Sequence, residues 1–313
     1  MSASEYTLVS CQCPRDPAAM PPPDTDPDTA AAANTLEFSV DLTCGNCERK
    51  VGAALASHGL EDFSISVAAQ KVVVVTRDRA SDEVKEVIEQ TGKVAVLVGS
   101  GGGGTSSVKY DHRMCPILVW TVNCCRGAAV AMLGLDGNYF SPGPKGVIRL
   151  TQLDSDRCLI EGTVDGLSPG LHGLAIHETG DTSEGCASLG GHYNPRGARH
   201  GSPDNEETAR HVGDLGNIAA DGAGRARFRL VDRVVKVWDV IGRSVVVAAR
   251  RDDLGLGEAA ASLTDGDCGP GLACGVIARA AAVGQNDKKI CACDGVTIWD
   301  ERNKPMAGEG RRA

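Results

Sequence analysis

Two closely spaced cysteine pairs are the residues of this chain best suited to chemistry: Cys44 and Cys47 in a C-x-x-C, and Cys291 and Cys293 in a C-x-C. Thiolates are ligands that suit the soft ion Cu(I). A C-x-x-C also serves in thioredoxin-like redox proteins, and a short cysteine tract is only a compositional hint of metal binding. The spacing predicts Cu(I) binding at both pairs, and it leaves open a redox role for the first pair and incidental thiols at either.

A second candidate site combines imidazole and carboxylate groups. Its members are separated by 8, 11 and 3 residues in a stretch rich in Gly and Pro: His192, His200, His211 and Asp214. Three imidazoles and one carboxylate make a closed tetrahedral shell, which is the coordination of structural Zn²⁺. A single histidine in such a loop is more often an ordinary surface residue, but four ligands together predict a structural zinc site.

The elements around Cys44 and Cys47 form the pattern of one small α+β unit. Apolar and polar residues alternate from Leu36 to Val40, a turn then carries the cysteines, and the order continues as βαββαβ. Both sulfurs therefore lie beside the N-terminus of a helix, whose dipole favours thiolate. The predicted elements are strands at 36–40, 63–67, 72–76 and 94–98 and helices at 48–57 and 81–91, the second capped by Ser81.

Composition divides the rest of the chain. Gly99–Gly104 predicts a flexible linker, residues 105–125 match neither neighbour, and from Gly127 to Val283 short apolar strands recur between Gly-rich turns, as in a β-sandwich or barrel. The expected boundaries are a disordered extension at 1–33, the α+β domain at 34–99, a Gly-rich linker with an atypical insert at 100–126, the barrel at 127–283 and an unstructured tail at 284–313.

Charge and cysteine usage narrow the classes of function. The formal net charge of −9 argues against nucleic acid as a partner, because phosphate binders need a positive field. The longest apolar runs, such as Val72–Val75 and Ile117–Val122, are too short to enter a membrane as a spanning helix. The odd total of 13 cysteines does not suit a secreted disulfide framework, and no basic segment precedes an apolar run at the N-terminus. We expect a cytoplasmic protein without membrane insertion.

Two sets of motifs resemble known families. Leu42-Thr43-Cys44-Gly45-Asn46-Cys47 resembles the metal loop of the heavy-metal-associated domain, in which Met usually stands at the position of Leu42. A second set resembles Cu,Zn superoxide dismutase: Leu171-His172-Gly173, His177-Glu178, Gly191-His192-Tyr193-Asn194-Pro195, His200-Gly201, His211-Val212-Gly213-Asp214-Leu215-Gly216-Asn217, Asp252-Asp253-Leu254-Gly255 and Leu272-Ala273-Cys274-Gly275. This resemblance implies a Greek-key β-barrel with copper and zinc sites.

The dismutase resemblance also assigns individual roles. It implies that His192 is the ligand shared by copper and zinc, that Asp252 orients a zinc-ligating imidazole, and that Cys186 and Cys274 form a disulfide.

Departures from the dismutase pattern argue against catalysis. That family's copper site needs four imidazoles, but Ala175 and Ala248 stand at two of those positions, so His177 and His192 alone remain. Gly271 stands where the family has an arginine that attracts superoxide. These departures predict a protein that is not an enzyme and does not dismutate superoxide at a useful rate.

The order of the modules resembles the family of copper chaperones for superoxide dismutase, whose tail motif matches Ile290-Cys291-Ala292-Cys293-Asp294-Gly295. The resemblance implies delivery of Cu(I) to a Cu,Zn superoxide dismutase through a transient heterodimer, with Trp238–Arg243 and Gly275–Ile277 near the contact surface. It also implies that Cys291 and Cys293 help to form the partner's disulfide. A resting homodimer and a copper transporter as donor stay open. The rivals are an active dismutase with an accessory metal-loading domain and a zinc-stabilised binding module with incidental thiols.

Overall fold

The computed structural model describes residues 33–102, 127–135, 137 and 141–286. Residues 1–32, the insert at 105–125 and the pair Cys291 and Cys293 lie outside the described residues. The described parts form a four-stranded sheet with two helices, called here the α+β domain, and a closed barrel of eight strands. Both folds agree with the prediction from the sequence.

The α+β domain has the predicted βαββαβ order and the sheet order β2-β3-β1-β4. Apolar residues of β1 pack against both helices, and this core includes Leu36, Phe38, Val51, Leu55 and Ile88. The elements are β1 Asn34–Val40, α1 Gly45–Ser57, β2 Phe63–Ser66, β3 Lys71–Thr76, α2 Ser81–Glu89 and β4 Ala95–Gly102.

Three element boundaries in this domain differ from the prediction. Helix α1 begins at Gly45, directly after Cys44, so the cysteine loop itself opens the helix. Ser81 is the first residue of α2 and Ala80 is its N-cap, so Ser81 does not cap that helix. The glycine run predicted as a flexible linker continues strand β4 to Gly102, because β4 is hydrogen-bonded along β1 as far as the Asn34–Gly102 pair.

The barrel closes through antiparallel strands in the order β10-β7-β6-β5-β12-β11-β8-β9, with Ala226 opposite Ala220 at the closing pair. Its interior holds aliphatic side chains such as Ile148, Ile160, Leu174 and Val247. The strands are β5 Ala128–Leu133, β6 Lys145–Gln152, β7 Cys158–Asp165, β8 Gly170–His177, β9 Asp214–Ala220, β10 Arg225–Asp232, β11 Ser244–Ala248 and β12 Gly271–Ala280. Within the described part of the chain, no helix has the length and apolar character needed to cross a bilayer.

The long connection from β8 to β9 carries most of the candidate ligands. It includes a 3₁₀ turn at Gly185–Leu189, whose Cys186 forms the expected disulfide with Cys274 of β12. A backbone bridge between His177 and His192 folds the loop back onto the end of β8. The disulfide and the backbone bridge hold the loop against the barrel, so the histidines of the loop lie at fixed positions on the barrel surface.

Candidate metal centres

The first centre is the loop that joins β1 to α1. Cys44 is the N-cap of α1 and is exposed, whereas Cys47 lies in the first helical turn and is buried. Their Sγ atoms are 3.6 Å apart. Leu42, only 2% exposed, packs into the core of the α+β domain and so anchors the loop to that domain. The pair therefore places one exposed and one buried sulfur side by side, an arrangement that can bind a soft metal ion.

Thr43 is a functional neighbour of Cys47 that the sequence analysis did not single out. Its Oγ1 lies 3.4 Å from Cys47 Sγ. Hydrogen bonds from the Thr43 side chain and backbone, followed by one from Cys44, lower the pKa of Cys47 to about 6. Cys47 is consequently a thiolate at neutral pH, the form that binds metal and attacks disulfides.

The second centre unites the four residues predicted to bind zinc. The ligand atoms of His192, His200, His211 and Asp214 all lie within 4.8 Å of one another, and all four residues are buried. The Nδ1 atoms of the three histidines approach Asp214 Oδ1 at 2.8, 3.0 and 3.1 Å respectively. Three nitrogens and one carboxylate oxygen that converge in this way can hold a tetrahedral metal ion.

Surrounding hydrogen bonds orient two of these imidazoles. His200 Nε2 donates to Asp252 Oδ1 at 2.8 Å, and His211 Nε2 donates to the carbonyl oxygen of Ala198 at 3.1 Å. Each ring thus turns its Nδ1 toward the centre. Buried His200 Nδ1 lies 3.0 Å from Asp214 Oδ1 and so faces the point where a metal ion would bind. Asp252, for which the resemblance implied an orienting role, thus contacts His200.

Asp214 supplies the negative charge of this centre. Its Oδ2 accepts hydrogen bonds from the backbone N–H groups of Gly201 and His211, at 3.0 and 2.8 Å. Burial alone would raise the pKa of Asp214, but hydrogen bonds from three histidines hold this pKa far below its usual range. The donor set fits Zn²⁺, which neutralises the carboxylate while replacing protons on the imidazoles.

A small cavity of about 50 Å³ adjoins this centre. Its wall includes His177, His192, Ala175, Ala248 and Gly271, and among the described residues that line it only the first two carry imidazoles. The two rings are 5.2 Å apart between centroids. Burial, and then the neighbouring His192, lower the pKa of His177 to about 4, so its ring is neutral. His177 Nδ1 donates to the carbonyl oxygen of Gly190 at 2.8 Å, which leaves Nε2 as the free nitrogen.

Cys268 lines the same cavity and was not considered as a site residue from the sequence. It is a free, buried thiol whose pKa is raised to about 12 by burial and by the nearby Asp265 and Asp252. A thiol in this state is a poor nucleophile and a poor metal ligand. Its position inside the cavity follows from the folding of a distant loop, which no local motif indicates.

The two segments assigned to partner contact lie side by side. Gly242 N–H donates to the carbonyl oxygen of Ile277, and Ile277 N–H donates to that of Arg243, at 2.9 and 2.8 Å. Trp238, Ile241 and Val276 are 47%, 40% and 39% exposed, so these two segments present three large apolar side chains to solvent.

Comparison with known proteins agrees with both parts of the fold. The heavy-metal-associated domain matches residues 37–94, and copper/zinc superoxide dismutase (SODC) matches residues 144–277. The copper chaperone for superoxide dismutase of Homo sapiens is 46% identical over 279 residues, which are 89% of this chain and 92% of that protein. The Rattus norvegicus protein of the same name is 45% identical over 278 residues, 88% of this chain and 92% of its own. A chloroplastic relative of that name from Oryza sativa subsp. japonica is 34% identical over 265 residues, 84% of this chain and 70% of its own.

The fold and the two centres define a modular metal-binding protein, with a heavy-metal-associated domain followed by a barrel of the Cu/Zn superoxide dismutase type. Identity to the relatives extends through both modules and over most of each chain. The chain therefore belongs to the family of copper chaperones for superoxide dismutase. The resemblance predicted from the motifs is confirmed.

Proposed function

We propose that this protein delivers Cu(I) to a Cu,Zn superoxide dismutase and is not itself a dismutase. The observation that carries the proposal is the first centre: two sulfurs 3.6 Å apart at an exposed helix start, one of them a thiolate at neutral pH. Two thiolates suit Cu(I), and an ion with so few ligands can pass to an incoming pair. The relatives are named for the same role, which supports the transfer of that role to this chain.

The barrel is proposed to bind zinc for structural reasons at His192, His200, His211 and Asp214. Their converging nitrogens and one buried carboxylate support Zn²⁺ over Cu(I), because imidazole and carboxylate are harder donors than sulfur. Zinc bound there would fix the β8–β9 loop and so keep the barrel in the shape of a dismutase subunit.

The barrel is proposed to lack dismutase activity. Ala175 and Ala248, 5% and 4% exposed, have no donor atoms in their side chains, so two of the four nitrogens of a dismutase copper site are missing. A β-carbon on Gly271 would lie 2.8 Å from Val246 Cγ1 and 2.9 Å from Cys186 Cβ. An arginine side chain at 271 would therefore need these neighbours to move.

We assign partner contact to the exposed surface that includes Trp238, Ile241 and Val276, whose apolar side chains suit a transient heterodimer with the dismutase. The tail pair Cys291 and Cys293 is proposed to bind Cu(I) and, when oxidised, to form the partner's disulfide. A partner thiolate attacks one sulfur of the tail disulfide and forms a mixed disulfide, and a second partner thiolate then displaces the tail from it. The two electrons pass from the partner's thiolates to the tail, so the partner gains a disulfide and both tail cysteines end as thiols. A resting homodimer and a copper transporter as donor belong to the same hypothesis. The proposed location is the cytoplasm.

The test is direct hand-over of copper. Copper-loaded protein is mixed with a zinc-loaded, copper-free, reduced dismutase in the presence of excess Cu(I) chelator, and dismutase activity is followed. We expect activation despite the chelator, and its loss in the Cys44→Ser/Cys47→Ser variant. Cys268→Ser is the matched control, because it removes a thiol that is buried away from the first centre.

Two results would contradict the proposal. The chelator could abolish activation, in which case copper passes through solution. Alternatively, the copper- and zinc-loaded chain on its own could consume superoxide rapidly, which would favour the rival of an active dismutase.

A further inference from the structure

The sheet of the α+β domain is covered on both faces. Leu36, Phe38 and Val40 of β1 point into the domain's own core. Glu37 and Ser39, which alternate with them and so point to the other face, are nevertheless only 2% and 4% exposed. A four-stranded sheet with helices on one face would leave such residues in water, so another part of the chain must lie over them.

The covering segment is the end of the barrel's last strand and the residues that follow it. Ser100 N–H donates to the carbonyl oxygen of Ala281 at 3.3 Å. Gly284 N–H donates to Glu37 Oε2 at 2.5 Å, and Glu37 Oε1 pairs with Lys71 Nζ at 2.6 Å. The two oxygens of the buried Glu37 carboxylate thus connect Gly284, which follows strand β12, to Lys71 in the sheet of the α+β domain.

The glycines of β4 permit this close approach. A β-carbon on Gly99 would lie 2.8 Å from the carbonyl oxygen of Ala282, and one on Gly102 would overlap the carbonyl group of Leu153. Both clashes are with backbone, which cannot turn aside as a side chain can. Ser100 Oγ also lies 3.0 Å from Thr151 Oγ1, in a buried hydrogen bond between β4 and β6. The run Gly99–Gly102 is therefore a packing surface.

Helix α2 makes a second zone of contact with the barrel. Ser81 N–H, in the first turn of α2, donates to Glu161 Oε1 at 3.1 Å. Thr163 Oγ1 donates to Asp82 Oδ2 at 3.1 Å, and Glu86 pairs with Arg227 at 2.6 Å. The acidic side of the helix thus meets hydroxyl and guanidinium groups on β7 and β10, an arrangement of complementary charge.

We infer that these two zones are a docking site that fixes the metal-binding domain on the barrel as one rigid unit. The sites on the barrel are Thr151, Leu153, Glu161, Thr163, Arg227 and Ala281–Gly284. Cys44 stays exposed in this arrangement. The consequence for copper delivery rests on the proposed function: copper leaves a metal-binding domain that keeps its place on the barrel and does not swing on a linker.

Amide hydrogen exchange in the zinc-loaded full chain, followed residue by residue, tests the docking. The Ser100 and Gly284 amides donate across the docking site, to the Ala281 carbonyl oxygen and to Glu37 Oε2, so we expect both to be protected in the unaltered protein. Gly102→Ala should raise their exchange about tenfold or more, since it forces a β-carbon into backbone. Gly222→Ala is the matched control, because a β-carbon there meets no atom within 4 Å. Unprotected amides in the unaltered protein, or unchanged exchange in Gly102→Ala, would overturn the inference.

Swapping the charges of the exposed Glu86–Arg227 pair tests the second zone without changing the packing of the interior. Glu86 and Arg227 are 51% and 41% exposed, so substitutions of either should leave both folds intact. Glu86→Arg alone places two cations together and should raise exchange at Ser100 up to about fivefold, whereas Glu86→Arg with Arg227→Glu should restore the original rate. Equal exchange in the single and double variants would count against a contact in this zone.

The hand-over assay separates the docking from the proposed function. Protected amides together with absent activation would leave the docking in place and reject the function. The Gly102→Ala variant could instead lose protection of the Ser100 and Gly284 amides and still activate the dismutase fully. Copper delivery would then not need a metal-binding domain fixed on the barrel, and that part of the inference would be overturned.

Discussion

Thr43 makes the two cysteines of the first centre chemically unequal. The exposed Cys44 can meet a donor or an acceptor, while the buried Cys47 is held as thiolate by hydrogen bonds from Thr43. An ion bound by both could therefore leave through Cys44 first and keep its bond to Cys47 until a partner thiolate has attached. This order would let copper exchange without entering water.

Removing the Thr43 hydroxyl should raise the pKa of Cys47. In a Cys44→Ser background, Thr43→Val should move the midpoint of the pH profile for Cys47 alkylation upward by about one pH unit, the scale of a lost hydrogen bond to a charged group. The measurement is the rate of iodoacetamide labelling of metal-free protein between pH 5 and 9. Thr43→Ser, which keeps the hydroxyl, should leave the midpoint in place, and an equal shift in both variants would contradict the assignment.

Under the proposed function, Asp252 would act on bound zinc through His200, which it contacts at 2.8 Å. Asp252→Asn keeps the size of the side chain but removes its negative charge. That charge orients the His200 ring and makes the ring more basic. We expect zinc affinity to fall by about 10–100-fold, the usual effect of losing such a partner. Competition with a zinc chelator measures this, with the exposed Asp239→Asn as control. An unchanged affinity would mean that His200 is positioned by its loop alone.

At the scale of elements, the β8–β9 loop depends on its tie to β12. The Cys186–Cys274 bond joins residues 88 apart in sequence, and closing a loop of this length restricts the unfolded chain strongly. Cys186→Ser should lower the free energy of unfolding of the zinc-loaded protein by about 2–5 kcal/mol. Urea denaturation measures this. Cys268→Ser, a free cysteine, should cost less, and equal losses would assign the effect to packing and not to the bond.

Elements with a regular apolar period were predictable from the sequence. Alternation in β1 and the apolar stripe of α2 depend on local residues only. The four residues predicted to bind zinc lie in the β8–β9 loop and at the first position of β9, at a recognisable spacing. The role of Gly99–Gly102 was not predictable, because it depends on backbone from Leu153 and Ala282, which approaches from far along the chain. The position of Cys268 could not be predicted for the same reason, since the cavity that it lines exists only in the folded barrel.

At the scale of the whole molecule, the proposed function assigns two metals of different hardness to centres with different ligand types. Sulfur dominates the first centre and the tail, whereas nitrogen and oxygen dominate the barrel. Thiolates favour Cu(I), and the closed imidazole and carboxylate shell favours Zn²⁺. One chain can then keep a permanent structural ion and a transient one without mixing them.

Zinc should stabilise the folded chain increasingly as pH rises, because the metal replaces protons. Burial opposes a proton on His200, but hydrogen bonds and charge from Asp214 and Asp252 raise the pKa of His200 to about 9 in the metal-free centre. This raised pKa stabilises the metal-free fold fully below the unfolded pKa near 6.5, and the contribution is lost as pH rises through about 9.

Zinc binding has the opposite dependence, since it requires an unprotonated His200. The gain in stability on adding zinc should therefore grow between pH 6.5 and 8.5 by about 1.4 kcal/mol per pH unit for each proton displaced. Urea denaturation with and without zinc measures the gain, in a variant whose Cys44, Cys47, Cys291 and Cys293 are all serine, so that these four thiols cannot bind zinc. A gain that does not change with pH would mean that His200 is already neutral before the metal arrives, and that Asp214 and Asp252 orient the ring without holding a proton on it.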